Sequence, residues 1–397
     1  MSAGATSSSK QPKERVTSKQ TSSQFSSRKK SCQKCAEAKA RCDLQRPICS
    51  RCQGRNISCQ WFTVDPPDVP PSIYASIEEA CPPLSELGAE ELGFSVPSAS
   101  TSPATVESMR IGSRWLDALI PPPGRLEKKF NPSTIQFISR VLKSYPKILI
   151  KDNNILPPIA HALQSQAGPS QLPLSNCRTL LRMWENKAPG SELIARETVW
   201  REMTRLFEEH STYDHVTLLG ACQAYLLYSI HLFLCGDADT RSMVDTSTMI
   251  NLQELSSALS RTGLYTSDAQ QRSTVPEWES WIIAEAKRRT LYTMYTFDHV
   301  FNYSQGQPSY VGTELGQLSL PASKELWTAT TKHDWELKYE QHIMDWPTEG
   351  PQLDDLWPHG TEDVKKRRGE RADRWVESAD EFGMFMFAIS NMTFGGS

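Results

Sequence analysis

Six cysteines fall within 28 residues: Cys32, Cys35, Cys42, Cys49, Cys52 and Cys59, spaced C-x2-C-x6-C-x6-C-x2-C-x6-C. The half-unit C-x2-C-x6-C thus occurs twice. No apolar run follows Met1, so no secretory leader is expected and the natural compartment is a reducing one. There, metal thiolates are favoured over disulfides, and zinc takes four sulfurs in a tetrahedron at about 2.3 Å. Six sulfurs fill two such ions only if two of them bridge both metals. Internal symmetry leaves Cys32/Cys49, Cys35/Cys52 or Cys42/Cys59 as the bridging pair. A single zinc ion leaves two thiolates idle, and a redox pair leaves four more thiols at matched spacing unexplained. The expected cofactors are therefore two structural Zn2+ ions. The remaining cysteines, Cys81, Cys177, Cys222 and Cys235, are scattered and are read as inert, mostly buried small hydrophobes.

The charge distribution points the same module at a polyanion. Residues 1–64 carry 13 Lys and Arg against 3 Asp and Glu, whereas the whole chain of 397 residues is net −3. A basic head on an acidic body calls for an anionic partner for the head alone. Six thiolates and two Zn2+ sum to about −2. Around them stand Lys34, Lys39, Arg41, Arg46, Arg51 and Arg55, opposed only by Glu37 and Asp43. That surplus of cations is the candidate DNA-binding set. Ala36 to Ala40, after the first CxxC, favours a short helix, while its counterpart after Cys52 contains Gly54 and is a poorer one. Arg28-Lys29-Lys30 fits either a nuclear import signal or phosphate-contacting arms.

At these residues the chain resembles the fungal binuclear zinc cluster family of transcription factors. The ligand pattern, Lys39 four residues after the second cysteine, Arg41-Cys42, Asp43 and Arg46-Pro47 all match; Ala36 and Ala38 depart, since the family often has basic residues there. The resemblance implies that Cys32 and Cys49 bridge. Zn1 would then be held by Cys32, Cys35, Cys42 and Cys49, and Zn2 by Cys49, Cys52, Cys59 and Cys32. It also implies that the first helix enters the major groove at a CGG-type triplet, with Lys39 donating to guanine and the other basic residues holding phosphates. The compact Cys35-Ala36-Glu37-Ala38-Lys39 is similar to regulators of fungal secondary-metabolite gene clusters.

The expected fold is a small zinc-stabilised binuclear cluster module plus a larger all-α regulatory domain, joined by a Pro-rich linker. Residues 1–27, with 12 Ser and Thr, read as disordered; 28–64 form the cluster module; 65–110, with 8 Pro, form the linker; and 111–397 form the body. Helical periodicity is present at 133–144, at 191–209 behind a Ser cap, and at 277–303. Residues 216–235 are apolar nearly all round, but Gln223, Ser229 and His231 favour a core helix over a membrane span. No membrane partner is expected.

The body resembles the regulatory middle-homology region of the same factors over roughly residues 130–345, through Trp278-x-x-Trp281, Glu285, Arg288-Arg289-Thr290, Tyr295, Asp298, Leu320-Pro321-Ala322 and Leu326-Trp327. Glu285 sits at helical spacing to pair with Arg288 and Arg289. Asp298-His299 reads as helix surface. The acidic-aromatic stretch at 345–357 reads as an activation segment or a folded acidic surface. No HExxH, GxSxG or Walker loop is present, and the eight histidines show no metal spacing, so no enzyme is expected. Asp65-Pro66-Pro67 blocks a heptad run after the module, leaving monomeric binding or homodimerisation through the body. The expected function is that of a nuclear, sequence-specific DNA-binding regulator that meets the transcriptional machinery. The alternative is a zinc-stabilised adaptor that binds proteins through the cluster.

Overall fold

The computed structural model describes residues 34–35, 38–43, 49–59, 107–151, 155–165, 171–266 and 274–394. The chain divides into two units, Met1–Val96 and Pro97–Ser397. The expected linker between the module and the body, the N-terminal Ser/Thr-rich stretch and Arg28-Lys29-Lys30 lie outside the described residues, apart from 107–110.

Among the described residues of the first unit, α1 spans Ser50–Gly54. Among the described residues its buried cluster consists of Cys35, Cys49 and Cys52, with Cys42 and Cys59 packed against them. No aliphatic or aromatic side chain contributes to that cluster, and Ile57 is exposed.

The second unit is helical. Its elements run α2 (Ser108–Gly112), β1 (Glu127–Lys128), α3 (Pro132–Lys151), α4 (Leu172–Glu185), α5 (Glu192–Glu208), α6 (His215–Cys235), α7 (Ala238–Arg241), α8 (Thr246–Arg261), α9 (Trp278–Ser304), β2 (Ser309–Tyr310), α10 (Lys324–Trp327), α11 (Lys332–Asp345), α12 (Glu362–Val376) and α13 (Glu381–Phe394). The one sheet among the described residues is the antiparallel pair β1–β2, with Glu127 opposite Tyr310 and Lys128 opposite Ser309. The all-α expectation holds. The first helix, α2, begins inside the stretch read as linker; it packs on α8, where the Ser257 hydroxyl donates to the Ser108 carbonyl.

The core is organised around α6. Every residue from Leu218 to Phe233 is buried, and α3, α4, α5, α8 and α9 pack around the helix. By length and composition α6 is the one described helix able to cross a membrane, but the body covers it on all sides. Asp214 caps its start, accepting from the Val216 and Thr217 amides at 2.9 Å. Helix α5 starts at the expected place, yet the Ser191 hydroxyl turns back to donate to the Ala188 carbonyl and makes no cap bond.

Helix α9 departs from its surface-like composition. Residues Ala284 to Phe301 are all buried, including Glu285, Lys287, Arg288, Arg289, Asp298 and His299. Glu285 does pair with both arginines, at 2.6 Å to Arg288 and 2.7 Å to Arg289. Burial raises its pKa, but the two guanidiniums outweigh that and hold the carboxyl below its ordinary value. Arg289 also reaches Asp380 at 2.6 Å. The surface reading of Asp298-His299 is overturned: both side chains are buried, and Asp298 accepts from Arg114 at 2.9 Å and from Gln253 at 3.1 Å. Long-range partners that periodicity cannot reveal make this burial tolerable.

The stretch 345–357 is folded. Leu353, Asp355 and Trp357 are buried, Arg371 donates to Asp355, and Arg368 donates to Asp354.

Candidate metal centre and nucleic-acid interface

The two half-units repeat in register, 17 positions apart. Helix α1 starts just after Cys49, and its counterpart holds helical geometry at Lys34 and Cys35. Each half ends its helix the same way. Lys39 has φ 47° and Asn56 has φ 53°, both in the left-handed region. The Ala40 amide donates to the Cys35 carbonyl at 3.0 Å, and the Ile57 amide to the Cys52 carbonyl at 3.1 Å. These bonds span five residues and enclose one left-handed position, which is the Schellman closure of a helix C-terminus. Asparagine takes that backbone readily, whereas a lysine there is strained by about 1–2 kcal/mol. Lys39 therefore stands at the end of its helix, four positions from Cys35, not in mid-helix as the Ala36–Ala40 propensity suggests.

Despite Gly54, Ser50–Gly54 is helical. The missing signal was its cap. Asp43, seven residues upstream, accepts from the Ser50 amide with both oxygens, at 3.3 and 3.2 Å. A carboxylate at a helix N-terminus satisfies orphan amides and complements the positive end of the helix. Asn56 was also missed, although asparagine shortly after a short helical run is a readable termination signal.

The sulfurs converge. Cys35, Cys42 and Cys49 form one group and Cys49, Cys52 and Cys59 another, with all sulfurs of a group within 4.8 Å of one another. Cys49 belongs to both. The Cys35 and Cys49 sulfurs are 3.7 Å apart. Tetrahedral zinc with bonds of about 2.3 Å separates its sulfurs by about 3.8 Å. The donor set is all thiol, and three of the five described cysteines are wholly buried. The residues present thus fit zinc, and a metal supplies here the cohesion that an apolar core supplies elsewhere. Cys32 and Arg46 lie outside the described residues.

Of the described basic residues, Lys34, Lys39, Arg41 and Arg55 are exposed, while Arg51 is half-buried. Arg51 directs Nη1 toward the Cys35 sulfur at 3.7 Å, so one cation of the set faces the cluster itself. The Cys49 amide likewise points at the Cys59 sulfur at 3.4 Å. Such donors stabilise thiolate charge.

In the body, Cys177 and Cys222 are buried and Cys235 is partly so; burial raises all three thiols, Cys222 to about 12. They are inert, as expected.

Comparison with known proteins agrees with this division of labour. Residues 30–67 match the fungal Zn(2)-Cys(6) binuclear cluster domain, which binds two zinc ions and DNA. Residues 199–368 match the fungal specific transcription factor domain. Transcription factor gsfR2 of Penicillium aethiopicum is 22% identical over 356 residues, covering 79% of this chain and 84% of that one. No solved structure matches. A cysteine cluster built for two metals, followed in the same chain by a helical regulatory domain, matches this protein to the fungal binuclear zinc cluster family of transcription factors.

Proposed function

We propose that this protein is a nuclear, non-catalytic transcriptional regulator that reads CGG-type DNA triplets through residues 28–64. Residues 65–110 serve as linker and 111–397 as regulatory body. The observation that carries the reading is the membership of Cys49 in both sulfur groups, which suits a thiolate bridging two metals. Its partner in the pseudo-symmetry is Cys32, so the ligand sets are Cys32, Cys35, Cys42 and Cys49 for one ion and Cys49, Cys52, Cys59 and Cys32 for the other. Zinc is structural and takes no part in chemistry. Its binding is linked to folding of the module, since cysteines are the buried cluster there.

Lys39 is the base-reading residue. It is exposed, and its left-handed backbone sets it where the helix stops, so the side chain is not committed to a helix face. A lysine donates to the O6 and N7 acceptors that guanine shows in the major groove. Lys34, Arg41, Arg46 and Arg55 hold phosphates, while Arg51 divides its charge between the cluster and the DNA. The likeness of the 35–39 segment to secondary-metabolite regulators makes such a gene cluster the proposed target.

The test is anisotropy of the full zinc-loaded chain on a CGG-containing duplex and a scrambled one, over a range of salt. Tighter binding to the first, with affinity falling steeply as salt rises, supports the reading. Equal binding to both, or none, favours the protein-binding adaptor.

A further inference from the structure

The body holds a cavity of about 50 Å³ walled by β1, α9, α13 and the segments between 312 and 357. Its lining is mostly apolar, with Leu315, Leu356, Trp357 and Ile389 among the contributors. Most polar groups at its wall are already engaged. The Tyr292 hydroxyl donates to the Ser319 carbonyl, Thr296 to the Tyr292 carbonyl and Ser390 to the Leu356 carbonyl. Tyr295 donates to Glu314.

Two groups remain. The Lys128 ammonium lies 3.4 Å from His299 Nε2 and has no carboxylate within ion-pair distance among the described residues. In its ammonium form Lys128 only donates, so Nε2 then accepts and the imidazole proton is assigned to Nδ1. His299 is 4% exposed, and its Nδ1 is buried with no acceptor among the described residues. With the wall hydroxyls committed as donors, three donor protons at the site remain unused: two on the ammonium and one on the imidazole. The ammonium also lies over the Phe394 ring, 5.7 Å from its centroid.

From this cation-bearing pocket with three unused donors we infer that the body binds a small monocarboxylate anion between Lys128 and His299. A carboxylate has four acceptor positions, enough to satisfy all three donors, and it neutralises the otherwise unpaired charge. A volume of about 50 Å³ at about 10–15 Å³ per water-sized site holds about four non-hydrogen atoms, the size of acetate. The apolar wall accepts the methyl group. Burial and the neighbouring Arg114 push the Lys128 pKa down to about 7, as for a cation lacking its counter-ion. An anion there ties strand β1 to α9 and to the C-terminal α13, three segments distant in sequence.

The experiment uses the full zinc-loaded chain at constant ionic strength. Sodium acetate replaces sodium chloride in one series, and acetamide, its neutral isostere, is added in another. Thermal melting and saturation transfer to the ligand methyl protons are followed. Acetate should raise the melting temperature saturably and receive saturation, with acetamide at least tenfold weaker. Lys128→Met should lower acetate affinity at least tenfold. Equal behaviour of acetate and acetamide, or no saturable response to acetate, overturns the proposal in the wild-type chain alone. Undiminished acetate binding by Lys128→Met overturns it as well.

Discussion

Lys39 and Asn56, 17 residues apart, hold the same left-handed backbone at the ends of two duplicated helical turns. The equivalence is conformational and not chemical. Asparagine suits the position, lysine does not, and neither is the glycine that would fit it best. A strained, exposed lysine at a duplicated turn marks the half that has a task beyond holding metal.

Replacement of Lys39 separates the two roles. Lys39→Ala should cost about 1–3 kcal/mol of binding to the preferred triplet and relax specificity there. Lys39→Gly should lose the same discrimination while stabilising the module by about 1 kcal/mol, because glycine relieves the left-handed strain. Competition binding against triplet variants and zinc-release titrations report the two effects. Uniform weakening on all sequences would make Lys39 a phosphate contact instead.

The cysteines should differ in metal content. Cys49→Ser removes a sulfur common to both groups, and less than one zinc per chain should remain. Cys42→Ser touches one group, so one zinc should be retained more often. Metal analysis after dialysis decides it. Equal losses from both variants would contradict the shared position of Cys49.

The metal module was legible because ligand spacing is a local signal. The duplicated C-x2-C-x6-C names the five described sulfurs that converge in two groups, and α3, α5, α6 and α9 followed from apolar periodicity. What stayed hidden depends on partners distant in sequence. Nothing local says that Arg289 meets Asp380, 91 residues on, or that Arg114 meets Asp298, 184 residues on. Without those pairs, Asp298 and His299 read as helix surface. Asp43 was similarly illegible as a cap, because it lies in the other half of the module from the helix it caps.

Arg289 is the most consequential of these buried charges. It binds Glu285 and Asp380 and stacks between Trp327, at 4.2 Å, and Phe382, at 5.3 Å. Arg289→Ala leaves two buried carboxylates short of a partner and should destabilise the body by about 3–5 kcal/mol. Arg289→Lys should rescue little, since an ammonium cannot serve both carboxylates in the plane of a fork. Denaturant midpoints of the two variants provide the check; near-wild-type stability for either would contradict the hub role.

Acid should unfold the body through its buried histidines. Burial, outweighing a backbone bond at Trp327 and helped by Arg289, holds His161 at about 4. Burial with Lys187 and Lys147 holds His231 at about 4, despite Glu185 at 3.8 Å. The ordinary value is 6.5. As pH falls, the unfolded chain takes up these protons first, so stability is full above 6.5 and lost progressively between 6.5 and 4. Each histidine accounts for about 1–3 kcal/mol of that loss. His231→Phe should flatten the profile across this window, because both ring nitrogens of His231 lack a hydrogen-bond partner among the described residues while its edge contact with Trp184 survives. Urea midpoints measured from pH 4 to 8 test this; an unchanged slope would contradict it.

The central claim is that two zinc ions, held by the duplicated cysteines, shape a surface that reads DNA sequence. Selection from random duplex DNA by the full-length chain, with its zinc content measured in the same sample, tests that claim most directly. The account predicts enrichment of CGG-type triplets, lost when zinc is removed by chelation. A chain with two zinc ions bound that enriches no sequence would contradict it.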